Sequence, residues 1–173
     1  MIHIRKYRDV EIILPQQRCG FGGWIEIQPY QCREMLDGRS VEIPGTRYVA
    51  ASFPNQITNL GLDHMGNRLG CGDYCQVGEG NAAESVTDTA LDDRVGAVAG
   101  TKVFAAAQGS PPYYGSHQRK HRFSPNFAGK ALNIAEIGFA PSSVANLFSR
   151  ALVKDGGGSP TTVAVSTTQY FDV

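Results

Sequence analysis

Apolar positions in this chain come in short runs, cut every few residues by glycine or proline, and the alternation inside the runs predicts strands. Three such runs lie in the first fifty residues, 9–14 (DVEIIL), 24–28 (WIEIQ) and 41–43 (VEI), each setting β-branched residues beside an acidic one. Trp24 and Ile25 fall on opposite faces, as the period of two in a half-buried strand requires. Turn residues from Pro15 to Gly45 punctuate the stretch, and residues 1–45 read as an N-terminal arm or small strand-rich subdomain that adds strands to a neighbouring subunit. A further strand, 47–53 (RYVAASF), is stopped by Pro54. The best helix candidate follows at 55–67 (NQITNLGLDHMGN). Asn55 offers an N-cap, Ile57, Leu60 and Met65 share a face, and Gly66 with Asn67 ends it.

Beyond the helix, 75–77 leads into Gly78-Glu79-Gly80-Asn81, a tight turn in which both glycines permit positive φ. An apolar run spans 95–107, and 110–126 is an irregular loop rich in Pro, Tyr, Lys and Arg. Strands are expected at 134–140 (IAEIGFA) and 147–153 (LFSRALV), then a hairpin connector at 156–160 and closing strands at 161–165 and 170–173. Strands at intervals of roughly 8–12 residues, joined by glycine turns, predict a sandwich rather than a parallel α/β sheet. The expected fold is mainly β: an antiparallel β-sandwich body over 46–173, with one short helix near 55–67 and the strand-rich arm before it.

Charge changes the picture in one respect. Sixteen basic and sixteen acidic side chains balance to zero, and charged residues make up only 18% of the chain, below the roughly 25% of ordinary globular proteins. Phosphate binding needs a basic excess, so nucleic acid is not an expected partner. A weakly charged surface associates readily, which suits a subunit covered by its neighbours. No run reaches the roughly 18 apolar residues of a membrane span, so no membrane insertion is expected. The start, MIHIRKY, lacks the charged segment and apolar run of a signal peptide. Folding in a cytoplasm is expected, with Cys19, Cys32, Cys71 and Cys75 as thiols.

One order of segments is specific. The helix is followed by 75–81 (CQVGEGN) and 87–91 (TDTAL), later by 135–139 (AEIGF) and 146–153 (NLFSRALV), and finally by 161–165 (TTVAV) and 171–173 (FDV). This order resembles that of structural proteins of tailed bacteriophages, over about residues 55–173. The resemblance implies a virion component without cofactor, of the tail, tail tip, baseplate or fibre-attachment region. It further implies a homo-oligomer, trimer or ring, assembled with other phage structural proteins in the host bacterial cytoplasm. Residues 1–50 carry no such likeness. The family's last strand usually runs on further, so this chain is expected to stop early. The same residues have a physical reading of their own. Thr87, Asp88 and Thr89 can bond their own backbone and fix a loop. Arg150, in an apolar strand on the face opposite Ala151, calls for a carboxylate, and Glu136 is the candidate.

Candidate chemistry was weighed residue by residue. Cys71-x3-Cys75 and His117-x3-His121 have the ligand types and spacing of a Cys2His2 zinc site. Nothing independent brings the two pairs together, and partly buried thiols with loop histidines are the commoner case, so no metal is expected. A Cys19–Cys32 disulfide formed after release from the cell is equally unsupported. No Gly-x-Ser-x-Gly elbow is present, and Asp63-His64 reads as helix-end polarity. Asp92 and Asp93, being adjacent, point apart and lack the spacing of a calcium loop. The glycine-rich segments lack the Lys-Ser/Thr of a phosphate cradle. Arg119-Lys120-His121-Arg122, with Tyr113, Tyr114 and Phe123 around it, reads as a solvated loop or a subunit contact rather than a nucleic-acid or glycan contact. Tyr113, Tyr114, Arg119, Arg122 and Trp24 are the interface candidates, being of the types enriched at such contacts. The function expected is therefore structural and non-enzymatic. The alternatives are a head or neck decoration or collar protein, and a host receptor- or glycan-binding module reading through 110–126.

Overall fold

The computed structural model describes residues 4–7, 10–13, 23–66, 72–107, 115–144 and 146–173. Strands β1 (Ile4–Tyr7) and β2 (Val10–Ile13) form a two-stranded antiparallel hairpin. Then come β3 (Gly23–Glu34), β4 (Ser40–Glu42), β5 (Ala51–Ile57), the helix α1 (Asn59–Gly66) and β6 (Tyr74–Gly78). The second half holds β7 (Arg94–Ala107), β8 (Gly115–Phe123), β9 (Leu132–Ile134), β10 (Glu136–Ala140), β11 (Ser149–Leu152), β12 (Val163–Val165) and β13 (Gln169–Asp172).

The mainly β, antiparallel expectation holds, but the sandwich does not: the main sheet closes on itself as an eight-stranded barrel. Going round, the order is β3, β5, β11, β10, β6, β7, β8, β13, and β13 returns to β3. The closing strand is the last one. Phe171 and Asp172 pair with Phe123 and Arg122 on one side, and with Pro29 and Gln28 on the other. Closure removes the exposed sheet edges that two open layers would leave. Inside and outside alternate along a barrel strand as they do along a sandwich strand, so the pattern alone does not separate the two.

Eight strands enclose an interior just wide enough for side chains to fill, and here apolar ones fill it. Ile25, Ile27, Phe53, Cys75, Val77, Ile137, Ala151 and Phe171 are all buried in one cluster. Phe123 stacks on Phe171 at 4.4 Å between ring centroids and meets Phe127 edge-on at 4.9 Å. The small sheet of β9 and β12 adds Leu132, Ile134, Val163 and Val165 to the same core.

Three local expectations need correction. Pro54 does not stop its strand: it lies within β5 opposite Trp24, where β11 does not reach, so β5 has a partner on one side only and a missing N–H is tolerated. Likewise β3 runs through Pro29, whose carbonyl faces the Tyr48 N–H, so its missing donor faces that segment and not β13. The helix starts four residues late. Asn55 belongs to β5 and donates to Ser149 Oγ at 2.9 Å, while Thr58 is the cap, its Oγ1 accepting the Gly61 N–H at 3.0 Å. Finally, of the expected irregular loop 110–126, residues Gly115–Phe123 form β8, and 110–114 lie outside the described residues. Asn67 lies outside the described residues.

Candidate functional site

Glu136 and Arg150 sit on neighbouring strands β10 and β11 with their side chains on the outer wall of the barrel, yet both are buried, at 0% and 3% side-chain exposure. The cover is the segment 79–93, a belt that joins β6 to β7. Arg150 Nε donates to Glu136 Oε2 at 2.9 Å, Nη1 to Asp88 Oδ2 at 2.7 Å, and Nη2 to the Ala82 carbonyl at 2.8 Å. The other faces of the Glu136 carboxylate accept the backbone N–H groups of Asp92 and Asp93 at 3.0 and 2.8 Å. The expected Arg150–Glu136 pair is therefore present, and it anchors the belt. Gly78 and Gly80 serve it by leaving room and not by adopting positive φ, which neither does. A Cβ on Gly80 would come 2.7 Å from Glu136 Oε1, and one on Gly78 would collide with the same oxygen. Lys130 and Lys154 pair with the belt's Glu79 and Glu84.

A second charged group lies across the barrel, on β3, β13 and β8. Asp172, nearly buried, receives Arg47 Nη1 at 2.8 Å, Arg122 Nε at 3.1 Å and the Tyr30 hydroxyl at 3.2 Å, with Lys120 Nζ at 3.5 Å. Arg47 also grips Glu42 through two nitrogens, at 2.9 and 2.7 Å, and lies over the Tyr30 ring, 3.8 Å from its centroid. Burial, with the Asp172 charge added, pushes the Tyr30 hydroxyl up to about 12. Burial would raise the Asp172 carboxyl, but the bonds from Arg122 and Arg47 outweigh it and hold the group below its ordinary range. This cluster went unnoticed in the sequence. Its one signal is the same as for Glu136: a lone acid, Asp172, in an apolar strand.

The residues singled out in the sequence are not brought together at one place. Trp24 is 66% exposed on the outside of β3, its indole N–H bonded to Ser52 Oγ at 2.6 Å. Arg119 pairs with Asp73 at 2.6 Å, and Arg122 belongs to the Asp172 cluster. Tyr113 and Tyr114 lie outside the described residues. Of the four zinc candidates, Cys71 and the His117 side chain also lie outside them. Cys75 is buried in the core, where desolvation pushes its thiol well up. His121 is buried against Phe139 at 5.4 Å, with Nδ1 3.3 Å from the Val98 carbonyl and Nε2 without a hydrogen-bond partner among the described residues. Burial lowers its proton affinity. Among the described residues no three metal-ligating side chains converge. Cys32 is a half-buried free thiol on β3, and Cys19 is not among the described residues.

One part of the fold reaches past the barrel. From Arg94 to Gly100, β7 pairs with β6 in the wall or borders it; from Gly100 to Ala107 it pairs, among the described residues, only with Gly115–His121 of β8. The two form a projecting ribbon about 20 Å long at the usual rise per residue. A crevice at Ser124, Phe127, Lys130 and Gln169 has room for about 10 Å³, one water. The chain matches no known protein family, no curated protein and no solved structure.

Proposed function

We propose that this chain is a non-enzymatic structural subunit of a tailed bacteriophage particle, in the tail, tail tip, baseplate or fibre-attachment region, working as a homo-oligomer through contacts with its neighbours. The observation that carries the reading is the β7–β8 ribbon. Its distal halves pair with no other described strand, so both long edges offer unpaired backbone groups to a second chain. The segments whose order resembles phage structural proteins supply the strands β6, β10, β11, β12 and β13 and the belt knot between them. They are scaffold, which fits a subunit whose work is done by its shape.

The test is to purify particles from cells producing this protein, quantify it by mass spectrometry and locate it by electron microscopy with a bound antibody fragment. The expected result is a fixed copy number per particle and label on the tail. Label on head or neck would move the protein to a decoration or collar role. Its absence from particles would overturn the reading.

A further inference from the structure

The ribbon and the belt carry opposite charge at opposite ends of one strand. Around the ribbon root stand Lys102, Arg119, Lys120 and Arg122, against Asp73 and Asp172, a surplus of two positive charges. Both faces of the ribbon share it, since Lys102 pairs across from Arg119 and Thr101 from Lys120. Lys102 is exposed, and the salt-bridge contact of Lys120, with Asp172 at 3.5 Å, is long.

The belt is the reverse. Among the described residues, Glu79, Glu84, Asp88, Asp92 and Asp93, with Glu136 beneath them, stand against Lys130, Lys154, Arg150 and Arg94, which adjoins Asp93 in the chain but bonds Gln76 and the Ser143 carbonyl, a surplus of two negative charges. Asp92 and Asp93 are both exposed; the Asp92 carboxylate accepts the Ala82 N–H at 3.2 Å, and neither carboxylate is in an ion pair among the described residues, while their backbone N–H groups go to Glu136. Asp93 adjoins Arg94, where β7 begins, and the ribbon begins at Gly100. Six residues of strand, about 20 Å, separate the two. One copy therefore cannot bring its own ribbon root onto its own Asp92–Asp93 corner, whereas a second copy can.

Resting on the reading of this chain as an assembling subunit, we propose that copies associate head to tail, the basic β7–β8 ribbon of one lying on the acidic 79–93 belt of the next. Such a contact joins two different surfaces, so repetition generates a ring if the rotation closes and a stack if it does not. The occupant of each surface is a second copy because the two surfaces match in sign and magnitude and lie apart on one chain.

The experiment uses the purified full chain in analytical ultracentrifugation, at low ionic strength and at about 1 M salt, where screening shortens to about 3 Å. Wild type is expected to be assembled at low salt and to dissociate as salt rises. The ribbon variant Lys102→Glu with Lys120→Glu, and the belt variant Asp92→Asn with Asp93→Lys, each weaken self-association about tenfold or more, since like charges then face each other. Mixed in equal amounts the two variants assemble again, because each reversed surface meets its reversed counterpart in the other chain. Melting curves establish that the variants fold; should the ribbon variant not fold, Lys102→Gln with Lys120→Gln takes its place and is expected to weaken assembly by less. A wild type that is monomeric at low salt, variants that assemble like wild type, or a mixture that stays dissociated would each overturn the contact. Assembly that ignores the charge swaps removes the ribbon–belt contact while leaving the virion reading in place, which particle composition tests separately.

Discussion

Arg150 is the residue whose loss the fold should tolerate least. Replacing it with Met keeps the length and apolar stem but leaves Glu136 fully buried, a carboxylate with two backbone donors and no counter-charge. Breaking a buried pair by removing one partner costs about 3–5 kcal/mol. In a chain of this length each kcal/mol shifts the melting temperature by about 2–4 °C, so Arg150→Met should melt roughly 6–20 °C below wild type. The belt should loosen first, since Arg150 holds the Ala82 carbonyl and Asp88. Amide exchange over 82–93 is expected to accelerate while that of β6 changes little. Glu136→Gln should also destabilise, because its amide nitrogen only donates, so either the Asp92 or the Asp93 N–H loses its acceptor and Arg150 loses its Glu136 counter-charge. With both changes in one chain the losses should fall short of additive by about 0.5–3 kcal/mol, the signature of a shared interaction. Thermal and urea denaturation of the four proteins at neutral pH measures all of this. An Arg150→Met protein within about 1 kcal/mol of wild type, or losses that simply add, would refute the reasoning.

Acid should act through two groups whose signs agree. The folded Asp172 carboxyl is held below its unfolded value, so its contribution is complete above about pH 4–5 and is lost as pH falls through the folded value; Asp172→Asn should flatten that part of a stability–pH curve. His121 is also lowered, by burial first, so the unfolded chain takes up the proton more readily and stability falls as pH drops below 6.5; His121→Leu should abolish that slope. Gly61→Ala should lose about 3 kcal/mol or more, since a Cβ there would overlap the Phe148 carbonyl, while Gly156→Ala, with open space, should be close to neutral in the same melt. Trp24→Ala removes an exposed side chain and should leave the melting temperature of the dissociated protein nearly unchanged.

Much of the strand inventory was legible because alternation survives any closed or layered β architecture. The strands expected at 9–14, 24–28, 41–43 and 134–140 each overlap an observed one. What was not legible is how the sheet ends. Barrel closure is decided by the two-sided pairing of β13, with Phe123 and Arg122 about fifty positions earlier and with Pro29 and Gln28 more than a hundred earlier, and no local pattern encodes it. Proline misled for a related reason. Its effect depends on which side of the strand has a neighbour, so Pro29 and Pro54 read as breaks until the pairing is known.

Single charges inside apolar strands are the most informative feature of the chain. Arg150 in SRAL led to Glu136 in EIGFA because each needed a partner that its own strand does not hold. Asp172 in QYFD posed the same demand, and the residues answering it are Arg47 and Arg122, far apart in sequence. The reason such charges are legible is energetic. An unpaired ion in a wall this well covered would cost several kcal/mol, so its presence implies a counter-charge within reach. The same logic sorts the remaining charges. Lys102, Asp92 and Asp93 are exposed and in no ion pair among the described residues, Asp92 and Asp93 just before β7 and Lys102 within it. Paired charges hold the barrel and its belt together, and under the head-to-tail proposal the exposed charges left over set how copies would meet.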